Sequence, residues 1–237
     1  MWYHTPPWGW GVGDSGASWP YGRPRTVEED WRASLPSEPG RVYGAAHDLL
    51  EDSYLIQSVT LNQAFALCAE KRYETARQCT LTFAQLFDRL AEVLLGAIQV
   101  MEEHGRHFGT LPNVHPLDPA NFRGPAAQQV ARLDNLLGRN LFNARSRFFH
   151  KLSALEDALT EVRQQFCSIA GEVVGGEEQS LETTCSSLEV LDYDLNTCMQ
   201  ETLVVLKSFF CALPAEEVAV FREKLLKRMR SLSGHRR

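Results

Sequence analysis

Apolar residues recur every three or four positions through most of the chain, which is the spacing of one face of an α-helix. A clean stripe, meaning a single row of apolar residues along one helix face, lies between residues 76 and 101. The residues before it, 42–68, form an apolar face that is wider than one such row. Thr75 and Gln78 fit a capping box, so we expect a turn near 70–75 and two helices; one continuous helix is the alternative. The clean stripe consists of Ala76, Cys79, Phe83, Leu86, Leu90, Leu94, Ile98 and Met101.

The longest stripe begins at Val130 and ends at Ile169. It covers about 40 residues, which corresponds to a helix of roughly 60 Å. Its mean step is close to the 3.5 residues of supercoiled helices. Its members are Val130, Leu133, Leu137, Leu141, Ala144, Phe148, Leu152, Leu155, Leu159, Val162, Phe166 and Ile169.

Two further helices are predicted after the glycines at 171, 175 and 176. One carries a stripe from Leu181 to Phe210. The other, 215–233, is a basic amphipathic helix whose apolar face starts at Val218. No segment alternates with period two, so no sheet is expected, and the stripes must bury one another. We therefore predict an all-α fold, an elongated antiparallel bundle of four to five helices with coiled-coil-like packing, over residues 41–237.

The first 40 residues differ in kind from the rest. They hold six of the eleven prolines and many glycines, which stop helix and ladder formation, so we predict a disordered tail. Indoles are costly to leave in water, so they either fold back onto apolar surface of the bundle or anchor a partner. All five tryptophans of the chain lie here: Trp2, Trp8, Trp10, Trp19 and Trp31.

The net charge of -6 argues against a general nucleic-acid binder, which would be basic overall. Positive charge is nevertheless concentrated in the last helix. Four interpretations stay open: the charges are solvated while the apolar face closes the bundle, the helix enters a groove of a protein partner, it lies on an anionic membrane, or it contacts nucleic-acid phosphates. The cations that would make such contacts are Lys224, Lys227, Arg228 and Arg230.

Residue types that could carry chemistry are present but not in a catalytic pattern. The six cysteines contain no C-x-x-C pair and are expected to act as small apolar side chains, without disulfide or zinc. His104 and His107 could share a metal, but H-E-x-x-H is missing, so a polar helix end is predicted. Asp192 and Asp194 are predicted to lie on a solvated acidic face, or opposite the basic third helix, rather than to form an acid–base pair.

No cofactor and no metal are therefore expected, and an enzyme is disfavoured. The leading hypothesis is a non-enzymatic scaffold or adaptor subunit that binds other proteins as a homo- or hetero-oligomer, with the tail tryptophans and C-terminal cations as its contacts. The alternative is a peripheral membrane module that uses the basic helix. The chain has no signal-peptide pattern and no apolar run of about 20 residues, so we expect it in the cytoplasm or nucleus.

Overall fold

The computed structural model describes residues 37–112, 114, 117, 119–137, 144–175 and 178–233. These residues form six α-helices and one 3-10 turn, Pro119–Asn121, and contain no strand. The all-α prediction is confirmed, whereas the described helices number six rather than four or five. They are α1 (Ser37–Ala69), α2 (Tyr73–Gly105), α3 (Gly124–Leu137), α4 (Ala144–Gly175), α5 (Glu178–Ala212) and α6 (Ala215–Ser233).

A tight turn separates α1 from α2, so the prediction of two helices is confirmed and the alternative of one continuous helix is wrong. Lys71 adopts the left-handed conformation with φ 58°. The backbone N–H groups of Lys71 and Arg72 donate to the carbonyls of Cys68 and Leu67, each at 2.9 Å. These bonds satisfy carbonyls at the end of α1, as left-handed caps do. The predicted capping box is not used, because α2 begins at Tyr73 and no side chain caps it.

The central element is α2, which packs against α1, α4, α5 and α6. Most of its predicted apolar stripe is buried, and Cys79 and Leu86 are half-buried. Phe87 stacks on Phe166 of α4 with ring centroids 4.0 Å apart. At the other end of α2, Gly105 lies against Phe148, near the start of α4. The two helices therefore run in opposite directions.

The stripe predicted as one long helix is divided between α3 and α4. These two helices pack against each other, which the two halves of one straight helix cannot do. Val130 of α3 and Leu155 of α4 belong to the same buried cluster. Both helices therefore keep the same apolar periodicity, and the periodicity alone does not reveal the break. Residues 138–143, including Gly138, lie outside the described part of the chain.

The last helix, α6, covers the ends of α2 and α5. Its apolar residues Val218, Phe221, Leu225 and Met229 are buried. Phe221 packs edge-on against Phe209 with centroids 4.8 Å apart. Within the described ranges, no helix has the length and apolar character needed to cross a membrane. The division into a tail and a helical domain stays a prediction, because residues 1–36 lie outside the description.

Candidate functional site

Four large aliphatic side chains of α1 are exposed on one side of the helix. Their exposed fractions are 44% for Leu49, 61% for Leu55, 58% for Ile56 and 56% for Val59. Steps of three, four and seven residues place them on neighbouring turns of the same face. They extend over ten residues, or about 15 Å along the helix axis. We call these four residues the α1 strip.

The α1 strip exists because α1 is apolar on two sides. Its other side carries Tyr43, Leu50 and Leu61, which are buried in the main core. Because a helix cannot turn both of its sides toward the same neighbours, packing that side into the core leaves Ile56 and Val59 exposed to solvent. Single exposed aliphatic residues are ordinary, but four on one helix face make that face a candidate interaction surface.

Acidic residues lie among the apolar residues of the α1 strip. Asp52 is exposed on the same face, three residues after Leu49 and four before Ile56, and Asp48 is exposed one turn earlier. Glu51 is half-buried on the side facing α5. Glu51 accepts a 2.6 Å hydrogen bond from the amide of Gln200. Between residue 42 and Lys71 the sequence has neither lysine nor arginine. A partner for this surface would therefore combine apolar and positively charged groups.

Behind the α1 strip, a polar contact joins α1 to α5. Asp192 is buried and accepts hydrogen bonds from the Tyr54 hydroxyl at 3.1 Å and the Gln57 amide at 2.5 Å. Burial raises the pKa of Asp192 to about 6, although these two bonds oppose the rise. The prediction of a solvated acidic face is therefore wrong for this residue. Its carboxyl contacts α1, where it fixes the helix that carries the strip.

Asp194 serves a different contact. It accepts a 2.9 Å hydrogen bond from the backbone N–H of Arg123, just before α3. The guanidinium of Arg123 lies 3.9 Å from the ring centroid of Tyr193. Burial raises the pKa of Asp194 to about 6. Residues two apart on a helix point about 200° apart. Asp192 and Asp194 therefore diverge and do not form an acid–base pair.

The two histidines considered as metal ligands differ in burial. His104 is only 3% exposed and lies among the rings of Phe108, Phe209 and Phe221. Its Nε2 is 3.6 Å from a carboxylate oxygen of Glu217, and burial lowers its pKa.

His107, by contrast, is exposed. The predicted polar helix end is therefore wrong for His104, which is a core residue. Within the described ranges, no group of three or more histidine, cysteine or acidic residues could hold a metal ion.

The buried cysteines behave as apolar residues. Cys68 of α1 and Cys185 of α5 belong to a small second core cluster. Burial raises the pKa of Cys68 to about 11 and also raises that of Cys185. A raised pKa disfavours the thiolate, which is the reactive form. Thr80 lies 3.7 Å from the sulfur of Cys185, so this contact joins α2 to α5.

The structure places only some of the residues predicted to bind partners. The side chains of Lys224, Lys227 and Arg228 are exposed on α6, and Arg228 donates a 3.0 Å hydrogen bond to the amide oxygen of Gln99. The side chain of Arg230 lies outside the description. So do all five tryptophans, Trp2, Trp8, Trp10, Trp19 and Trp31.

Sequence analysis did not identify the α1 strip as a site. The signal was the apolar face of residues 42–68, which is wider than a core contact requires.

Comparisons of the chain with protein-family models, with curated proteins and with solved structures find no match. Function is therefore inferred from the chain's own residues.

Proposed function

We propose that this chain is a non-enzymatic interaction or scaffold subunit that binds another protein through the α1 strip. The frame would be an elongated antiparallel bundle with coiled-coil-like packing. The observation that carries the proposal is the exposure of Leu49, Leu55, Ile56 and Val59 on one face. Full burial of such a side chain contributes about 1.5–3 kcal/mol. Since each is roughly half exposed, covering the strip offers about 3–6 kcal/mol before the cost of association.

The shape and charge of the strip favour a helical partner. Its side chains project from successive turns of a straight helix, and a second amphipathic helix can pack its own apolar turns between them. Basic residues on that helix would meet Asp48 and Asp52, which are exposed among the apolar residues of the strip. Such charges set orientation and association rate more than affinity.

The buried titratable groups support a structural rather than a catalytic role. Asp192 and Asp194 each hydrogen-bond to a different neighbouring segment. Lys151 of α4 is buried and forms a 2.7 Å ion pair with Glu201 of α5. Catalytic acids and bases must converge on a reacting atom. These groups instead join α5 to α1, to α4 and to the segment that precedes α3.

A peripheral membrane role is the second candidate, because the exposed cations of α6 could meet anionic lipid. An amphipathic helix binds membranes by inserting its apolar face. In α6 that face, including Phe221 and Leu225, is in the core. Membrane contact would thus rest on charge alone, which favours the protein-binding proposal. Flotation of the full-length protein with phosphatidylserine vesicles at low salt tests this candidate; failure to float rejects it.

The test of the main proposal is a surface substitution with a matched control. The strip variant is Leu55→Gln/Ile56→Gln/Val59→Gln, which removes apolar surface while keeping a good helix former. The control variant is Val204→Gln/Val220→Gln, two exposed valines on α5 and α6.

Both variants and the wild type are compared by quantitative affinity purification from cells. We expect the wild type and the control variant to retain the same stoichiometric partner and the strip variant to lose it. Equal retention by the strip variant contradicts the proposal.

A further inference from the structure

The α1 strip is uncovered by any of the described helices, and one segment of the same chain is placed to cover it. Residues 1–36 lead directly into α1 at Ser37 and carry every tryptophan of the protein. The helical part, from residue 37 onward, has none. The chain therefore has an exposed aliphatic face and a separate supply of large apolar side chains joined to the same helix.

We propose that the N-terminal segment, residues 1–36, docks through its tryptophans on the α1 strip of its own chain. It thereby occupies the surface that the proposed function assigns to a partner. The inference rests on that function only for its regulatory consequence: a partner must displace the segment, so the free protein is held in a masked state. The docking itself is a property of the isolated chain.

The segment is long enough to reach the strip. Leu49 and Val59 lie 12 and 22 residues after Ser37, which is about 18 and 33 Å along the helix. Trp31 precedes Ser37 by six residues and Trp19 by eighteen. At about 3.3 Å per residue, these lengths of extended chain span roughly 20 and 60 Å. Trp31 can therefore reach the near end of the strip, and Trp19 any part of it.

The two surfaces match in chemistry. An indole can bury about 150–250 Å² and packs well on aliphatic side chains. Charge does not add to this match. Residues 1–36 hold three arginines against four carboxylates, a net charge of -1, and the α1 strip also carries the acidic residues Asp48 and Asp52. The match is therefore apolar.

Covalent attachment favours this occupant over a separate molecule. A segment joined by a short linker has an effective concentration in the millimolar range at its own site. Weak apolar contacts then suffice to keep the strip covered, and an external partner that binds more tightly can still displace the segment. A second copy of the chain would lack this advantage.

The tryptophans provide the test, because their fluorescence reports on the N-terminal segment and on nothing else in the protein. The full-length wild type, the strip variant and the control variant are compared by emission maximum and by acrylamide quenching, with circular dichroism to verify the helices. We expect the strip variant to show a red-shifted emission and stronger quenching than the wild type. The control variant should match the wild type. Unchanged emission and quenching in a folded strip variant would overturn the inference.

A second variant keeps the test decisive if the strip variant does not fold. In the full-length chain, all five tryptophans are replaced by serine, which leaves every residue from 37 onward unaltered. We expect this chain to bind more of the apolar dye anilinonaphthalene sulfonate than the wild type, because the strip is uncovered. No gain in dye binding contradicts the inference.

Dilution of the wild type distinguishes the segment's own chain from a second copy. A constant emission maximum over the dilution series supports docking within one chain. A red shift on dilution, with a falling mass in light scattering, would overturn it in favour of a dimer.

Failure of this inference and failure of the proposed function give different results. If the strip variant loses the partner but keeps the tryptophan emission of the wild type, the docking inference is wrong and the proposed function stands. If the strip variant changes the emission but still captures the partner, the proposed function is wrong and the docking inference stands. If both hold, the tryptophan-free chain should capture several-fold more partner than the wild type.

Discussion

Helices α1 and α2 are joined by one turn and have the same length, 33 residues each, but they are used differently. The residues of α2 contact four other helices, and most of its apolar stripe is buried. The residues of α1 bury one apolar side and expose another, the α1 strip. The two helices thus have similar numbers of apolar residues but differ in whether neighbouring helices cover those residues. The apolar residues that α1 leaves exposed form the α1 strip, the surface to which we assign the proposed partner.

The two helices also differ in how they are attached to their neighbours. An aromatic contact, Phe87 on Phe166, lies between α2 and α4. Between α1 and α5, by contrast, there is a carboxyl group, Asp192, with the Tyr54 hydroxyl and the Gln57 amide bound to it. Apolar packing is insensitive to pH, whereas a buried carboxyl is not. The attachment of α1 to α5 should therefore depend on pH through Asp192, whereas the packing of α2 against α6 includes His104, whose pKa is lowered by burial.

The largest effect is expected in the core contact of α2. Phe87→Ala removes a fully buried ring stacked on Phe166 and should lower the free energy of unfolding by about 3–5 kcal/mol. The matched substitution on α1, Ile56→Ala, is made in the chain whose five tryptophans are replaced by serine, so that no docked segment covers the strip. There it should change the free energy of unfolding by less than about 0.5 kcal/mol. Urea denaturation followed by circular dichroism measures both. Equal losses would mean that the α1 strip is buried in solution.

A pH-dependent effect is expected at the attachment of α1. Burial raises the pKa of Asp192 to about 6 from a usual value near 4. The folded state therefore binds this proton more tightly than the unfolded state. The resulting stabilisation is fully present below about pH 4 and is lost as the pH rises through about 6. Over that range the wild type should lose up to about 3 kcal/mol relative to Asp192→Asn, which cannot titrate.

The measurement is urea denaturation of both proteins at a series of pH values. Asp52→Asn, which alters an exposed carboxyl of α1, is the control and should follow the wild type. A constant difference between the wild type and Asp192→Asn across the series would show that Asp192 titrates at the same pH in the folded and unfolded chains.

A smaller effect is expected from the hydroxyl of Tyr54. Tyr54→Phe keeps the ring and removes the 3.1 Å hydrogen bond to Asp192, so it should cost about 1 kcal/mol. Tyr193→Phe is the control, because its ring faces Arg123 and the substitution leaves the ring in place. Thermal denaturation of the two variants separates them. A neutral Tyr54→Phe would assign the attachment of α1 to Gln57 and to apolar packing.

Sequence periodicity predicted the helical class and the stripe of α2, because α2 is buried on a face that repeats without interruption. It did not predict the break between α3 and α4, since both helices bury their apolar faces in one core and the pattern continues across it. It also did not predict that Asp192, Asp194 and His104 are buried; it placed the two carboxyls on a solvated face or opposite the basic third helix, and His104 at a polar helix end. Polar residues in a helix have the same spacing whether they face water or a partner on another helix. Only the packing of α1, α3 and α6 distinguishes the two.

The α1 strip could be anticipated only in part. Residues 42–68 show more apolar positions than one stripe needs, but a sequence does not tell which of two apolar sides faces the core. The choice depends on Tyr43, Leu50 and Leu61 packing into the main cluster. The connection between the strip and the tryptophans comes from their positions in the sequence, because the tryptophans lie just before α1. Apolar periodicity does not show it.

The smallest effect is expected where α6 meets α2 through a polar contact. Arg228 donates a 3.0 Å hydrogen bond to Gln99, but both side chains are accessible to solvent. Arg228→Gln should therefore change the free energy of unfolding by less than about 0.5 kcal/mol. Lys227→Gln, which removes a neighbouring exposed charge, is the matched control. If Arg228→Gln alone lost more than about 1 kcal/mol, and if salt reduced that loss, charge would help to hold α6 on α2. A small loss would instead mean that the apolar contacts of Phe221, Leu225 and Met229 hold α6 on α2. These contacts complete the burial of α2, whereas no described helix covers the α1 strip.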